Sequence, residues 1–262
     1  MNKIADAFQN KKAFIPFVTA GDPDLATTEK ILLAMQENGA DLIEIGIPFS
    51  DPVAEGIVIQ QADERALAAG TTTDKIFDMV ERVQSRMQIP MVFMTYANVI
   101  FVYGIEKFAS RSKELGMAGV IVPDVPFEEK EEMDSVFRAY GLDVISLIAP
   151  TSRDRIQAIA REANGFVYCV SSLGVTGVRK TINKGVADMI REVKKEKEIP
   201  CAVGFGISTP EQAKEMSAFA DGVIVGSAIV KLVGEYGTDC VEHVASYVRS
   251  MKEALVSCCV DN

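Results

Sequence analysis

Short apolar runs and amphipathic stretches alternate along the whole chain. The apolar runs cover residues 13–19, 41–47, 91–96, 119–124, 143–149, 165–171, 201–207 and 222–227. Each is nearly continuous rather than alternating with polar residues, the pattern of parallel strands buried on both faces. Between them apolar residues recur with a period near 3.6, as in 27–35 and 73–80, which predicts helices. Thr73 or Asp74 is the expected cap of the second of these. Further helices are expected near Thr151-Ser152-Arg153-Asp154 and at Ser208-Thr209-Pro210-Glu211, where Pro210 suits a first turn. Asn38-Gly39 and Asp221-Gly222 read as turns that lead from a helix into the next strand.

Eight strand-then-helix units in a chain of this length predict an α/β fold of the (β/α)8 type, a TIM barrel. An open doubly wound sheet competes, but it usually stops at fewer strands and divides the chain earlier. No linker rich in Pro, Gly or Ser and no low-complexity segment interrupts the pattern. One domain over 1–262 is therefore expected, opened by a short extra helix within 1–10 that turns Ile4, Ala7 and Phe8 inward and closed by a frayed tail.

Composition narrows the partners more than the fold. The 262 residues are 48% hydrophobic and 24% charged, an ordinary globular balance. Lys plus Arg is 27 against 37 for Asp plus Glu, a net charge of −10. That excess argues against a nucleic-acid backbone or an anionic membrane as partner. A local phosphate site survives it, because backbone N–H groups hold phosphate without a basic patch. No apolar run approaches the ~20 residues that span a bilayer, and the start lacks a signal peptide's apolar stretch. A soluble, cytoplasmic protein is expected. The five cysteines have no CxxC spacing, and Cys258 and Cys259 are adjacent, so neither a disulfide framework nor a zinc site is expected. The single histidine, His243, lies in a C-terminal helical pattern and reads as structural.

In a barrel of this kind the reactive groups sit at the C-terminal ends of the strands. The second strand carries Glu44 inside the apolar run Leu42-Ile43-Glu44-Ile45-Gly46, and the loop after it carries Asp51 and Glu55. The fourth strand ends in Asp124 and the sixth holds Tyr168. No strand contains the Lys that a Schiff-base aldolase needs, and His ligands for a catalytic metal are missing. Acid–base chemistry by carboxylates remains. Glu44 is the strongest candidate, since desolvation favours its neutral form and lets one group give and take a proton near neutral pH. For Asp51 and Asp124, turn chemistry before proline is an equal alternative. On the other side, Gly204-Phe205-Gly206 and Gly226-Ser227 end the last two strands and lead into helices, the usual phosphate site of this fold. Ser171-Ser172-Leu173-Gly174-Val175-Thr176-Gly177 is small and polar enough to act as a lid.

These residues, with Pro16-Phe17-Val18-Thr19-Ala20-Gly21-Asp22-Pro23, Glu44-Ile45-Gly46-Ile47-Pro48-Phe49-Ser50-Asp51-Pro52, Tyr96-Ala97-Asn98, Pro123-Asp124-Val125-Pro126 and Gly226-Ser227-Ala228-Ile229-Val230, run in the order found in one family. The chain resembles the tryptophan synthase alpha subunit from Ile4 to about Leu255. The resemblance implies a lyase of tryptophan biosynthesis that cleaves indole-3-glycerol phosphate to indole and glyceraldehyde 3-phosphate by a retro-aldol step. It implies no cofactor or metal on this chain, and a beta-subunit partner carrying PLP, in an alpha2beta2 heterotetramer. Glu44 matches the family's catalytic glutamate. Phe17, Ile59, Tyr96, Tyr168 and Phe205 match the indole pocket; Gly177, Gly206, Gly226 and Ser227 match phosphate contacts. Thr176 matches the loop threonine that supports the carboxylate holding the indole N1–H. Pro48 and Asp51 match the segment that meets the beta subunit.

One place departs from the family pattern. Where the family reads Ala-Asp-Gly-Pro, this chain reads Ala54-Glu55-Gly56-Ile57. Glu55 keeps the charge and is expected to accept the N1–H, but its extra methylene displaces the carboxylate by roughly 1.5 Å. Ile57 also removes the fixed φ of a proline. Shortening Glu55 to Asp is expected to raise activity, unless the pocket has adapted to glutamate. The alternative is a weakened barrel that acts mainly as an activating partner of the beta subunit. Another phosphosugar epimerase or isomerase is the third, and it wants the strand Lys or ligating His that are absent.

Overall fold

A computed structural model of the chain describes residues 3–171, 179–204 and 206–256. Its strands are β1 (Ala13–Thr19), β2 (Ile43–Gly46), β3 (Met91–Met94), β4 (Gly119–Ile121), β5 (Asp143–Val144), β6 (Ser146–Ile148), β7 (Val167–Val170), β8 (Cys201–Gly204) and β9 (Gly222–Val225). They form one sheet in the order β5-β4-β3-β2-β1-β9-β8-β7-β6, and every pairing is parallel. The nine strands are the eight expected ones with the fifth divided at Ile145. β5 pairs with β4 and β6 pairs with β7, so the ring closes through the chain itself. The Ile145 N–H still reaches the Val120 carbonyl at 2.9 Å, which bridges the break.

Side chains alternate across each strand, and the two faces build separate cores. Inside the barrel lie Ala13, Ile15, Leu42, Val92, Ile121, Ile145, Phe166, Ala202 and Ile224. Ile4 and Ala7 from the N-terminal segment join this interior, while Phe8 packs its ring 5.6 Å from Phe166. The short helix Lys3–Asp6 thus seats itself against the barrel interior as the sequence suggests. Between the strands and the helical shell lies a larger core that includes Ile43, Ile45, Phe77, Phe93 and Phe108.

Helix starts follow capping chemistry. Asp24 caps Leu25–Glu37 by accepting the Thr27 N–H at 2.7 Å. Thr209 caps Pro210–Ser217 in a reciprocal box with Gln212, with Pro210 in the first turn as expected. Two boundaries differ from expectation. The helix Thr73–Val83 is capped by Thr72, not by Thr73 or Asp74; in the run Thr71-Thr72-Thr73-Asp74 adjacent hydroxyls compete, and Thr72 holds the extended conformation a cap requires. The segment after the fifth strand enters as a 3-10 turn, Pro150–Arg155, before its α-helix, Ile156–Glu162. Among the described residues no helix is long and apolar enough to cross a membrane.

Candidate active site

Glu44 points to the inner side of β2, the side also taken by Leu42 just before the strand, because the two are separated by one residue. Its Cα pairs with that of Phe17 on β1 and of Val92 on β3. The side chain faces the barrel mouth, where it lines a cavity of about 290 Å³. Glu44 is 1% exposed, and among the described residues its Oε1 has no hydrogen-bond partner. Burial alone pushes its pKa up to about 8. The carboxyl is therefore mostly protonated at neutral pH, while its ionised form stays within reach.

Phe17, Ile59, Met94 and Tyr168 form the apolar wall around it. Two glycines make room for the rings. A Cβ on Gly46 would lie 2.5 Å from Phe17 Cζ, and one on Gly204 would lie 2.4 Å from the Tyr168 hydroxyl. Burial and then the nearby Glu44 charge hold the Tyr168 phenol well above its ordinary pKa, so it stays a neutral donor beside the acid. Opposite, Gly206, Gly226 and Ser227 line the same cavity. Gly206 has φ +75 and no atom in the way of a Cβ, so its backbone turn opens toward space. Gly226 precedes the helix Ser227–Tyr236, whose N-terminal N–H groups and dipole favour an anion there.

The loop after β2 supplies the third wall through Ala54, Glu55 and Gly56. The Tyr96 hydroxyl accepts the Ala54 N–H at 3.1 Å, and the Tyr96 ring packs 5.2 Å from Phe49. Tyr96 is 2% exposed and does not line the cavity. It holds the loop that carries Glu55. Glu55 lies within hydrogen-bonding reach of Asp63 and Tyr96, and burial raises its pKa against their opposing effect. Asp63 is 4% exposed on the helix Ile57–Ala68. Its pKa is pushed up to about 8, first by burial and then by the Glu55 charge beside it.

Sequence reasoning missed Asp63, although a signal exists. Ile59, Ala62, Asp63 and Ala66 recur at helical spacing, so a carboxyl falls on an inward stripe. Met94 and Ser208 are further lining residues that carried no signal. Asp124 reaches across to the start of the helix Ala97–Tyr103, its carboxylate accepting the Ala97 N–H at 3.0 Å, a bond between loops and not within a local turn. His243 stacks on Tyr236 with ring centroids 3.6 Å apart and does not line the cavity. Pro48 is buried but borders a separate groove with Asn98, Val102 and Tyr103, and Asp51 is exposed with Ser50 donating to it at 2.5 Å. Thr176, Gly177 and Phe205 lie outside the described residues. Among the described residues no group of three or more His, Cys, Asp or Glu is placed to hold a metal ion.

A parallel barrel with a shielded acid on β2, facing glycine turns and a helix N-terminus after β8 and β9, has the working parts of a (β/α)8 enzyme. The sequence profile of the tryptophan synthase alpha chain matches residues 4–256. The chain belongs to that family, one of lyases in tryptophan biosynthesis. It is 47% identical over 262 aligned residues to the tryptophan synthase alpha chain of Geobacter sulfurreducens, covering 97% of this chain and 99% of that one. The crystal structure of tryptophan synthase subunit alpha from Legionella pneumophila is similar with a TM-score of 0.89 at 36% identity, covering 98% and 99% of the two chains. A chain of the tryptophan synthase complex from Pyrococcus furiosus gives a TM-score of 0.83 at 36% identity, covering 92% and 98%.

Proposed function

We propose that this chain cleaves indole-3-glycerol phosphate to indole and glyceraldehyde 3-phosphate, with Glu44 as acid and then base. The observation that carries this is the buried Glu44 carboxyl in the cavity, its Oε1 unpartnered among the described residues, across from the glycine turns at Gly206 and Gly226. Glu44 gives its proton to indole C3, and the ring nitrogen takes up the positive charge. Glu55, at the cavity wall, accepts the N1–H and stabilises that cation. The glycerol hydroxyl next to C3 then loses its proton to the Glu44 carboxylate. The C3–carbon bond breaks, its electron pair restores the aromatic ring, and an aldehyde forms. Glu44 ends protonated as it began, and no water or cofactor is consumed.

Gly206, Gly226 and Ser227 hold the phosphate through backbone N–H groups, so remote binding energy fixes the reacting carbon. Gly177, Thr176 and Phe205 are assigned to the phosphate, to the support of the N1–H acceptor and to the indole pocket by family resemblance. Indole passes to a beta subunit that carries PLP, in an alpha2beta2 assembly. The segment from Pro48 to Asp51 lies beside exposed Val53, Ile57, Phe101 and Val102, which suits a contact of that kind.

The test is indole release from indole-3-glycerol phosphate, with and without added beta subunit. Wild type should turn over, and Glu44→Gln should lose about 10²–10⁴-fold in kcat with its fold intact. Appreciable residual turnover would reassign the acid–base role. Glu55 and Ile57 favour a second role, that of activating partner. No cleavage in either condition, with beta-subunit activity still stimulated, would select it.

A further inference from the structure

Glu55 is half-buried and Asp63 buried, their carboxyls lie within hydrogen-bonding reach of each other, and among the described residues no cation acts on them. Around the pair stand the Tyr96 phenol, the Phe49 amide and the Thr19 hydroxyl. Arg65, two residues beyond Asp63 in the same helix, is turned away and held by both oxygens of Asp22 at 2.8 Å. Asp124 acts on Tyr96 but is exposed and occupied with the Ala97 N–H. Glu55 Oε2 is buried and, among the described residues, has no hydrogen-bond donor. Its backbone is nonetheless pinned, since the Gln60 side chain donates to the Glu55 carbonyl at 2.8 Å and Tyr96 holds Ala54. Glu44, buried and with Oε1 unpartnered among the described residues, lines the same cavity as Glu55.

Like charges in contact inside a protein do not both ionise; one proton serves both. We propose that Asp63 is a positioning residue, sharing one proton with Glu55 so that the longer glutamate side chain is fixed at the cavity wall with a single negative charge to accept the substrate N–H. The assignment rests on the lyase chemistry proposed above. Its physical content is a compensation: the extra methylene of Glu55 would leave the acceptor loose, and Asp63 ties it down from the following helix turn. The benefit expected from Glu55→Asp then reverses, because a shorter side chain withdraws from Asp63.

The experiment compares Asp63→Asn, Asp63→Ala and Glu55→Gln in the full chain, following cleavage of indole-3-glycerol phosphate from about pH 6 to 10. Asparagine can still donate to Glu55 but no longer titrates. Asp63→Asn should stay within about threefold of wild type near pH 7, whereas Asp63→Ala should lose about 10–100-fold, mainly in kcat. Above about pH 8 wild-type activity should fall with the loss of two protons, one from Glu44 and one from the pair. In Asp63→Asn the fall should reflect one. Equal alkaline slopes, or equal losses in the Asn and Ala variants, would overturn the positioning role. Glu55→Gln separates the two levels. If it retains activity within about threefold, the acceptor role fails and the present proposal with it. If it is inactive while Asp63→Asn keeps the wild-type slope, only the role of Asp63 fails. Urea midpoints confirm that each variant is folded at the assay pH.

Discussion

Replacing Glu44 by Gln should make the protein more stable as pH rises, in the same variant that loses activity. In the fold the Glu44 carboxyl releases its proton at about 8, against 4.5 for the free group. The folded state therefore binds more protons than the unfolded chain between those values, and stability falls as pH rises through that window. The cost is absent well below 4.5 and complete above 8. Near pH 7 it amounts to about 3 kcal/mol, and near pH 5 to about 1 kcal/mol, at 1.36 kcal/mol per unit. Gln is an uncharged isostere, so any fixed offset from its amide is the same at both pH values. The variant's advantage over wild type should grow by about 2 kcal/mol between pH 5 and 7. Urea titrations at the two pH values, analysed with a common slope, measure this. A difference that is flat with pH would show that Glu44 is ionised at little cost, and the raised pKa on which its acid role depends would be wrong.

Three other changes probe the frame around the acid. Gly204→Ala places a Cβ against the Tyr168 ring; kcat should drop about tenfold or more, and kinetics that match wild type would show the ring is free to move. Gly206→Ala imposes a side chain at φ +75, a strain of about 1 kcal/mol, and should raise KM several-fold with kcat little changed; an unaltered KM would remove this turn from the phosphate site. Arg65→Ala leaves Asp22, 1% exposed, without its two-point partner, and should cost about 2 kcal/mol in urea unfolding, an effect that an unshifted midpoint would deny.

The eight strand positions were legible because doubly buried parallel strands write themselves as continuous apolar runs. Their ends were not. The seventh run was expected to reach 207, but β8 stops at Gly204 and Gly206 turns through a positive φ. The division at Ile145 depends on two neighbours pulling one run into separate ladders, which no local pattern records. Glu44 stood out as a lone charge in an apolar strand, and the structure turns it into the cavity. Asp63 did not stand out, since an acidic residue beside Glu64 and Arg65 looks like an ordinary solvated helix face until the helical phase is fixed. The Tyr96 hydroxyl accepts from Ala54, a partner 42 residues away in the chain, and stands within reach of Glu55, a double contact that no local pattern records. Reach of that kind is set by the closed barrel.

The most direct test of the central claim is an infrared or carbon-13 titration of the Glu44 carboxyl, assigned by its loss in Glu44→Gln. A protonated carboxyl that persists at neutral pH and ionises near 8 is the result expected from its burial. A carboxylate already present at pH 6 would contradict it, and would leave the barrel without the acid that cleavage of the carbon–carbon bond requires.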